Sequence, residues 1–291
     1  MKKLSVIVLV IALVASLAAC GGSSQPAASE SAAAPASAAT TEGDTFKVGM
    51  ECAYPPYNWT QLDDSNDAVP IEGTTQYAGG YDVEIAKKIA EGLGKQLVII
   101  PTVWDGLIPA VQTGVIDAII AGMSPTDERK ESIDFTDSYY REDIVLGIVV
   151  KKGSKYESAK SLADFKDAKI TAQLGTYHYA KIDQIEGVDK QEAMKDFTAM
   201  RVALSSGIID GYVSEKPEGE SAMNADPGTY YFVEFADGQG FDLTEGDTSI
   251  AVGVKKGSDE LVSAINKVLA GISDDDRKAL METATKNQPA A

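Results

Sequence analysis

The chain has 291 residues, 44 Asp and Glu against 26 Lys and Arg, a formal charge of −18, two cysteines and one histidine, His178. So acidic a chain repels phosphate backbones and anionic lipid faces, which argues against nucleic acid as a partner. One histidine and two cysteines exclude a multi-histidine metal site, a four-thiolate zinc site and a disulfide framework, so neither metal nor cofactor is expected.

Met1-Lys2-Lys3 opens an apolar run from Leu4 to Ala19, shorter than the ~20 residues a membrane-spanning helix needs. Residues 1–19 therefore read as a secretory signal peptide. The run ends in Leu17-Ala18-Ala19-Cys20, which resembles the lipobox of bacterial lipoproteins. That resemblance implies a lipid (palmitate) anchor on Cys20 as the first mature residue. Residues 20–44 are almost entirely Gly, Ser, Ala, Pro, Thr and Gln, with no aromatic or branched aliphatic side chain, and so read as a disordered linker. Such a protein is extracytoplasmic and membrane-anchored. The Gly-rich tether, with no Asp after Cys20, favours the surface of a Gram-positive bacterium over a periplasm. Cys52 is then left without an intramolecular partner and reads as a small packing residue.

From residue 45 onward, strand-like runs alternate with helix-period segments. Phe46–Met50 reads as a strand, Asp82–Ala90 as an amphipathic helix with Ile85, Ala86 and Ile89 on its apolar face, and Leu97–Ile100 as a strand. This alternation predicts an α/β fold with helices covering sheets. Two internal echoes predict that it is built twice. Ala110–Ala118 resembles Ala203–Gly211: in each, a helix end meets Gly114 or Gly207, and Asp117 or Asp210 then opens a strand. Ile148–Ser154 likewise resembles Ala251–Ser258, each an apolar strand closed by Lys-Lys-Gly-Ser.

Four junctions carry polar groups suited to a small ligand. After the first strand, Glu51 is followed by Tyr54, Pro55, Pro56, Tyr57 and Trp59, a stiff aromatic loop. In Gly122-Met123-Ser124-Pro125-Thr126, Ser124 is a candidate N-cap with Pro125 first in the helix, which puts Arg129 in the second turn. A guanidinium there suits a carboxylate clamped by two parallel hydrogen bonds. Gly175-Thr176 offers a capped helix start with its N–H toward an anion, but lacks the Gly-rich pattern of a phosphate loop. Glu215 ends a buried-type strand and could face an ammonium. His178 reads as a helix-face residue near the rim.

Tyr54-Pro55-Pro56-Tyr57, Gly80–Ala86, Trp104–Ala110, Gly122–Thr126 with Arg129, and Ile133–Tyr140 occur together and in this order. In this the chain resembles the polar amino-acid-binding proteins, extracellular solute-binding proteins of family 3, over residues 45–285. The resemblance implies a two-lobed periplasmic-binding-protein type 2 fold, a flytrap with two crossover hinge strands. Lobe 1 would comprise 45–142 with 240–291, and lobe 2 would comprise 143–239. It implies a monomer that holds a free amino acid and passes it to an ABC permease and its ATPase. Arg129 would clamp the ligand carboxylate with the Thr176 N–H, and Glu215, the Ser124 hydroxyl and the Gly122 carbonyl would take the ammonium. Tyr54 and Trp104 would sandwich the side chain, with Glu51 at its far end. Both acidic positions are Glu where relatives often carry Asp, and the insertion over 62–73 is longer than the usual hairpin and is expected as a surface loop. An acidic Glu51 disfavours Asp and Glu as ligands and favours Lys, Arg, His or Gln. A dehydratase-like enzyme and a ligand sensor are the alternatives on the same fold.

Overall fold

The computed structural model describes residues 44–141, 145–244 and 246–289. The signal segment, Cys20 and nearly all of the linker lie outside the described residues. In chain order the strands and α-helices begin with β1 (Thr45–Met50), β2 (Ala53–Tyr54), β3 (Asn58–Gln61), β4 (Val69–Pro70), β5 (Tyr77–Gly79), α1 (Tyr81–Gly92), β6 (Gln96–Pro101), α2 (Trp104–Thr113), β7 (Ala118–Ile119), α3 (Asp127–Ser132) and β8 (Ile133–Tyr140). They continue with β9 (Leu146–Lys151), β10 (Lys169–Thr171), α4 (Tyr177–Lys181), β11 (Asp189–Lys190), α5 (Phe197–Ser205), β12 (Gly211–Glu215), α6 (Lys216–Ala225), β13 (Tyr230–Val233), β14 (Ile250–Lys255), α7 (Asp259–Leu269) and α8 (Asp274–Asn287).

Two five-stranded sheets share one plan. The first runs β6-β1-β7-β14-β8 and the second β11-β10-β12-β9-β13. In each, the first three strands are parallel and the fourth is antiparallel to both its neighbours. The two echoes fall on equivalent places. β9 and β14 are the fourth strands, and the turns after them place Gly153 (φ 77°) and Gly257 (φ 81°) in the left-handed region. The paired aspartates do the same work twice. The Asp117 carboxylate accepts the Lys47 N–H at 2.8 Å, and the Asp210 carboxylate accepts the Lys169 N–H at 2.9 Å. Each ties a parallel strand to the turn beside it. The chain leaves the first sheet between β8 and β9 and returns between β13 and β14, which gives the two crossovers of a two-lobed fold.

The helical face predicted from Ile85, Ala86 and Ile89 is buried on the first sheet, all three at 0% exposure. Each large aliphatic side chain buried this way contributes about 1.5–3 kcal/mol. The insertion departs from a plain surface loop. It holds a short 3-10 turn at Ser65–Asp67, an edge strand (β4) paired with β5, and a buried Ile71 bridged to Ile99. The apolar side chain of Ile71 anchors it, while the acidic tip stays in water. Cys52 is buried and unpaired, as its packing role predicts, and burial pushes its thiol up to about 12. Among the described residues no helix is long and apolar enough to cross a membrane, and no group of three or more His, Cys, Asp or Glu could hold a metal ion.

Candidate functional site

Where the carboxyl ends of strands in the two sheets face each other, the lobes enclose a cavity of about 10 Å³, room for about one water. Tyr54, Trp104, Gly122, Ser124, Arg129, Thr176 and Glu215 line it, together with Gln173, Tyr177, His178 and Phe197. Seven of the eight residues singled out in the sequence thus converge. Glu51, the eighth, stands behind Gln173, whose Nε2 donates to Glu51 Oε1 at 2.8 Å. A larger cleft of about 550 Å³ lies between α6 and α8. Exposed Glu220, Lys278, Glu282 and Lys286 border it, and no buried charged side chain faces it. The small cavity holds the buried chemistry and is the candidate site.

Arg129 is 8% exposed. Its Nη1 donates to the Ser124 carbonyl at 2.9 Å, its Nη2 to the Gly175 carbonyl of the other lobe at 3.3 Å, and its Cζ lies 5.0 Å from the Trp104 ring centroid. A guanidinium has five N–H donors, so three remain for a ligand. The helix start differs from expectation. Thr126, not Ser124, is the N-cap, with its hydroxyl accepting the Arg129 N–H at 3.4 Å, so Arg129 stands in the first turn of α3. The Ser124 carbonyl is taken by the Thr126 N–H and by Arg129, which keeps the chain extended for two more residues. Thr176 occupies the N-cap position of α4 as predicted, but its hydroxyl donates back to the Gln173 carbonyl at 2.7 Å and caps nothing.

Two glycines are needed for their space. At Gly122 (φ 63°) an added Cβ would meet the Tyr54 ring at 2.7 Å, and at Gly175 (φ 69°) one would meet Asp105 Oδ1 at 2.6 Å. The second lets the lobe 2 turn slide under Trp104, whose Nε1 donates to the Gly175 carbonyl at 3.0 Å. Beneath the Gly122 turn, buried Asp82 accepts from Asn58 at 2.8 Å and from the Tyr139 hydroxyl at 2.7 Å, and that hydroxyl accepts the Gly122 N–H. Burial lifts the Asp82 carboxyl to about 6 against the pull of these bonds.

Glu215 is 2% exposed. Its Oε2 accepts the Tyr54 hydroxyl across the lobes at 2.7 Å, and its Oε1 is 2.8 Å from His178 Nε2. Burial pushes its carboxyl up, but the His178 charge and the Tyr54 hydroxyl outweigh burial and hold it below the usual value. His178 is therefore not a rim residue: it is 3% exposed and turned into the cavity, because its own lobe offers it a buried carboxylate. Tyr54 is stacked on Phe197, ring centroids 4.5 Å apart and planes at 8°. Phe197, Gln173 and Asp82 were not singled out from the sequence. Phe197 follows the N-cap Asp196 of α5 and Gln173 lies two residues before Gly175-Thr176, but only the fold brings them to the opposite lobe.

Glu51 is a strongly perturbed carboxylate. Burial, followed by the charges of Asp196 and Asp105, raises it to about 8 despite the Gln173 hydrogen bond, and its buried Oε2 has no partner. A raised carboxyl means that the folded protein resists losing a proton the unfolded chain gives up near 4.5. The resulting destabilisation grows as pH climbs from 4.5 to 8, and Asp82 adds to it between 3.8 and about 6. Urea midpoints of the wild type are expected to fall from pH 5 to pH 8. Glu51→Gln should flatten the part above pH 6, and identical profiles would remove Glu51 from the account.

Residues 46–284 match the family model of bacterial extracellular solute-binding proteins, family 3. The chain belongs to this family. A probable histidine-binding protein of Campylobacter jejuni is 32% identical over 199 residues, covering 68% of this chain and 70% of that one. The L-arginine-binding protein of Pseudomonas aeruginosa is 30% identical over 218 residues, covering 70% and 78%. A solved ancestral arginine-binding protein bound to arginine superposes with a TM-score of 0.67 at 32% identity, over 82% of this chain and 97% of that one. As a family 3 solute-binding protein, the chain is a transport component and not an enzyme, so its cavity is a place for reversible capture.

Proposed function

We propose that this protein captures an amino acid with a cationic side chain, arginine above others, and delivers it to an ABC permease and its ATPase. The observation that carries this is Glu51: a buried acceptor oxygen without a partner, in the field of Asp105 and Asp196. With Asp105 and Asp196 near it behind Gln173, Glu51 favours a guanidinium or ammonium, which would draw the proton off its raised carboxyl, and disfavours Asp and Glu. Arg129 takes the ligand carboxylate, helped by the Thr176 N–H. Glu215 takes the α-ammonium with the Ser124 hydroxyl and the Gly122 carbonyl, and Tyr54 and Trp104 hold the side chain. A cavity of about 10 Å³ admits no amino acid, so the lobes, 45–142 with 240–291 and 143–239, must part for entry. Phe241 and Leu243 of the 240–291 segment pack on the second core, so the chain would rejoin lobe 1 only after Leu243 and these two would move with lobe 2. The names of the histidine- and arginine-binding relatives agree with this ligand class. The protein acts as a monomer, held by a lipid on Cys20 outside the cell membrane, on a Gram-positive surface.

The test is a thermal-shift screen of the twenty amino acids. At 100 times Kd, binding adds about 2.7 kcal/mol, a shift of roughly 5–10 °C for a domain of this size. L-Arginine is expected to give the largest shift and Glu51→Gln to shrink it, with Asp and Glu giving none. A largest shift from Asp or Glu would overturn the ligand class.

A further inference from the structure

The carboxylate that lines the cavity already has an imidazole from its own lobe against it. His178, the one histidine in the sequence, stands on α4 with Nε2 2.8 Å from Glu215 Oε1, the two side chains 4% and 3% exposed. The Tyr54 hydroxyl donates to the other oxygen at 2.7 Å, but neither ring nitrogen of His178 completes a hydrogen bond of good geometry, although both are buried. The imidazole is thus held by proximity more than by direction, and such a contact yields more easily than an aligned bond. It also lies where a second cation on Glu215 would meet it at close range, and like charges brought together in a water-poor cavity repel strongly.

We propose that His178, protonated against the buried Glu215 carboxylate, sets ligand selection as an internal stand-in for the ligand's α-ammonium. With Glu215 already compensated, the lobes close over carboxylates that lack an α-amino group, and ligands that carry one must share or displace the imidazole. The site then takes a broader class than α-amino acids: linear carboxylates with a cationic far end, with or without the α-ammonium. This rests on Glu215 being the ammonium acceptor and on the cationic ligand class.

The test is a thermodynamic cycle by calorimetry. It pairs wild type and His178→Gln with L-arginine and with 5-guanidinopentanoate, which is arginine without its α-amino group. Wild type is expected to bind both, and the preference for L-arginine should grow at least tenfold in His178→Gln. His178→Lys, which keeps a cation, should retain the wild-type preference, and guards against a glutamine variant that folds poorly. Selectivity of the two variants within twofold of wild type, with L-arginine bound, would overturn the proposal while leaving the ligand class standing. Failure of wild type to bind L-arginine would overturn the ligand class and this proposal with it. Undiminished L-arginine binding by Glu215→Gln would remove the ammonium acceptor, and so also the competition.

Discussion

Arg129→Ala is expected to bind no amino acid at millimolar concentration in calorimetry, while still folding and melting only about 2–8 °C below the wild type. The two halves of this result have separate origins. Removing the clamp leaves a ligand carboxylate buried without its charged partner, a loss of about 3–5 kcal/mol or more, which weakens binding about two to four orders of magnitude. The protein itself loses little, because both carbonyls that Arg129 serves keep another donor. The Ser124 carbonyl still accepts the Thr126 N–H at 2.9 Å, and the Gly175 carbonyl still accepts Trp104 Nε1 at 3.0 Å. No buried acceptor is orphaned, so the stability cost stays near that of one surplus hydrogen bond and a cation–π contact, about 1–2 kcal/mol.

Arg129→Lys separates charge from shape. A lysine keeps the positive charge but not the planar fork that can serve two backbone carbonyls and a carboxylate together. Weak but measurable binding is expected, between wild type and alanine. Micromolar affinity in the alanine variant would remove Arg129 from the clamp and shift attention to the Thr176 backbone.

The repeat was legible in the sequence because it is written in local chemistry: a glycine that ends a helix, then an aspartate that opens a strand. Asp117 and Asp210 make the same hydrogen bond in the two lobes, and the Lys-Lys-Gly-Ser turns close the same strand of each sheet. Arg129, Glu215 and Tyr54 were legible because strand ends gather at a cleft in sheets of this kind. What escaped is what depends on closure. Tyr54 meets Phe197 from the other lobe, and Gln173 meets Glu51. Apart from closure, His178 meets Glu215 of its own lobe through a turn of α4 whose facing a short helix does not announce. Ser124 and Thr126 are equally good capping types around Pro125, and only the demand of Arg129 for the Ser124 carbonyl decides between them.

Glu218→Ala is expected to cost about 3–5 kcal/mol of stability, read as a lower urea midpoint with an unchanged slope. Glu218 is 0% exposed and accepts from Arg201 Nε at 3.0 Å and Nη2 at 2.8 Å, from the Tyr212 hydroxyl at 3.1 Å and from the Ser214 hydroxyl at 2.6 Å. Alanine strands a guanidinium that is 13% exposed and takes the Tyr212 hydroxyl's acceptor. Arg201 keeps one bond to the Ser221 hydroxyl, and Ser214 keeps one to the Glu215 carbonyl, which is why the cost stops short of unfolding the domain. Removing both charges in Arg201→Met with Glu218→Leu should cost less than Glu218→Ala alone, because no buried charge is then left unpaired. A double variant as unstable as the sum of its singles would mean that the pair contributes through packing alone. Ligand affinity measured on the folded fraction should barely move in either variant, since the network braces β12 from behind and none of its members lines the cavity.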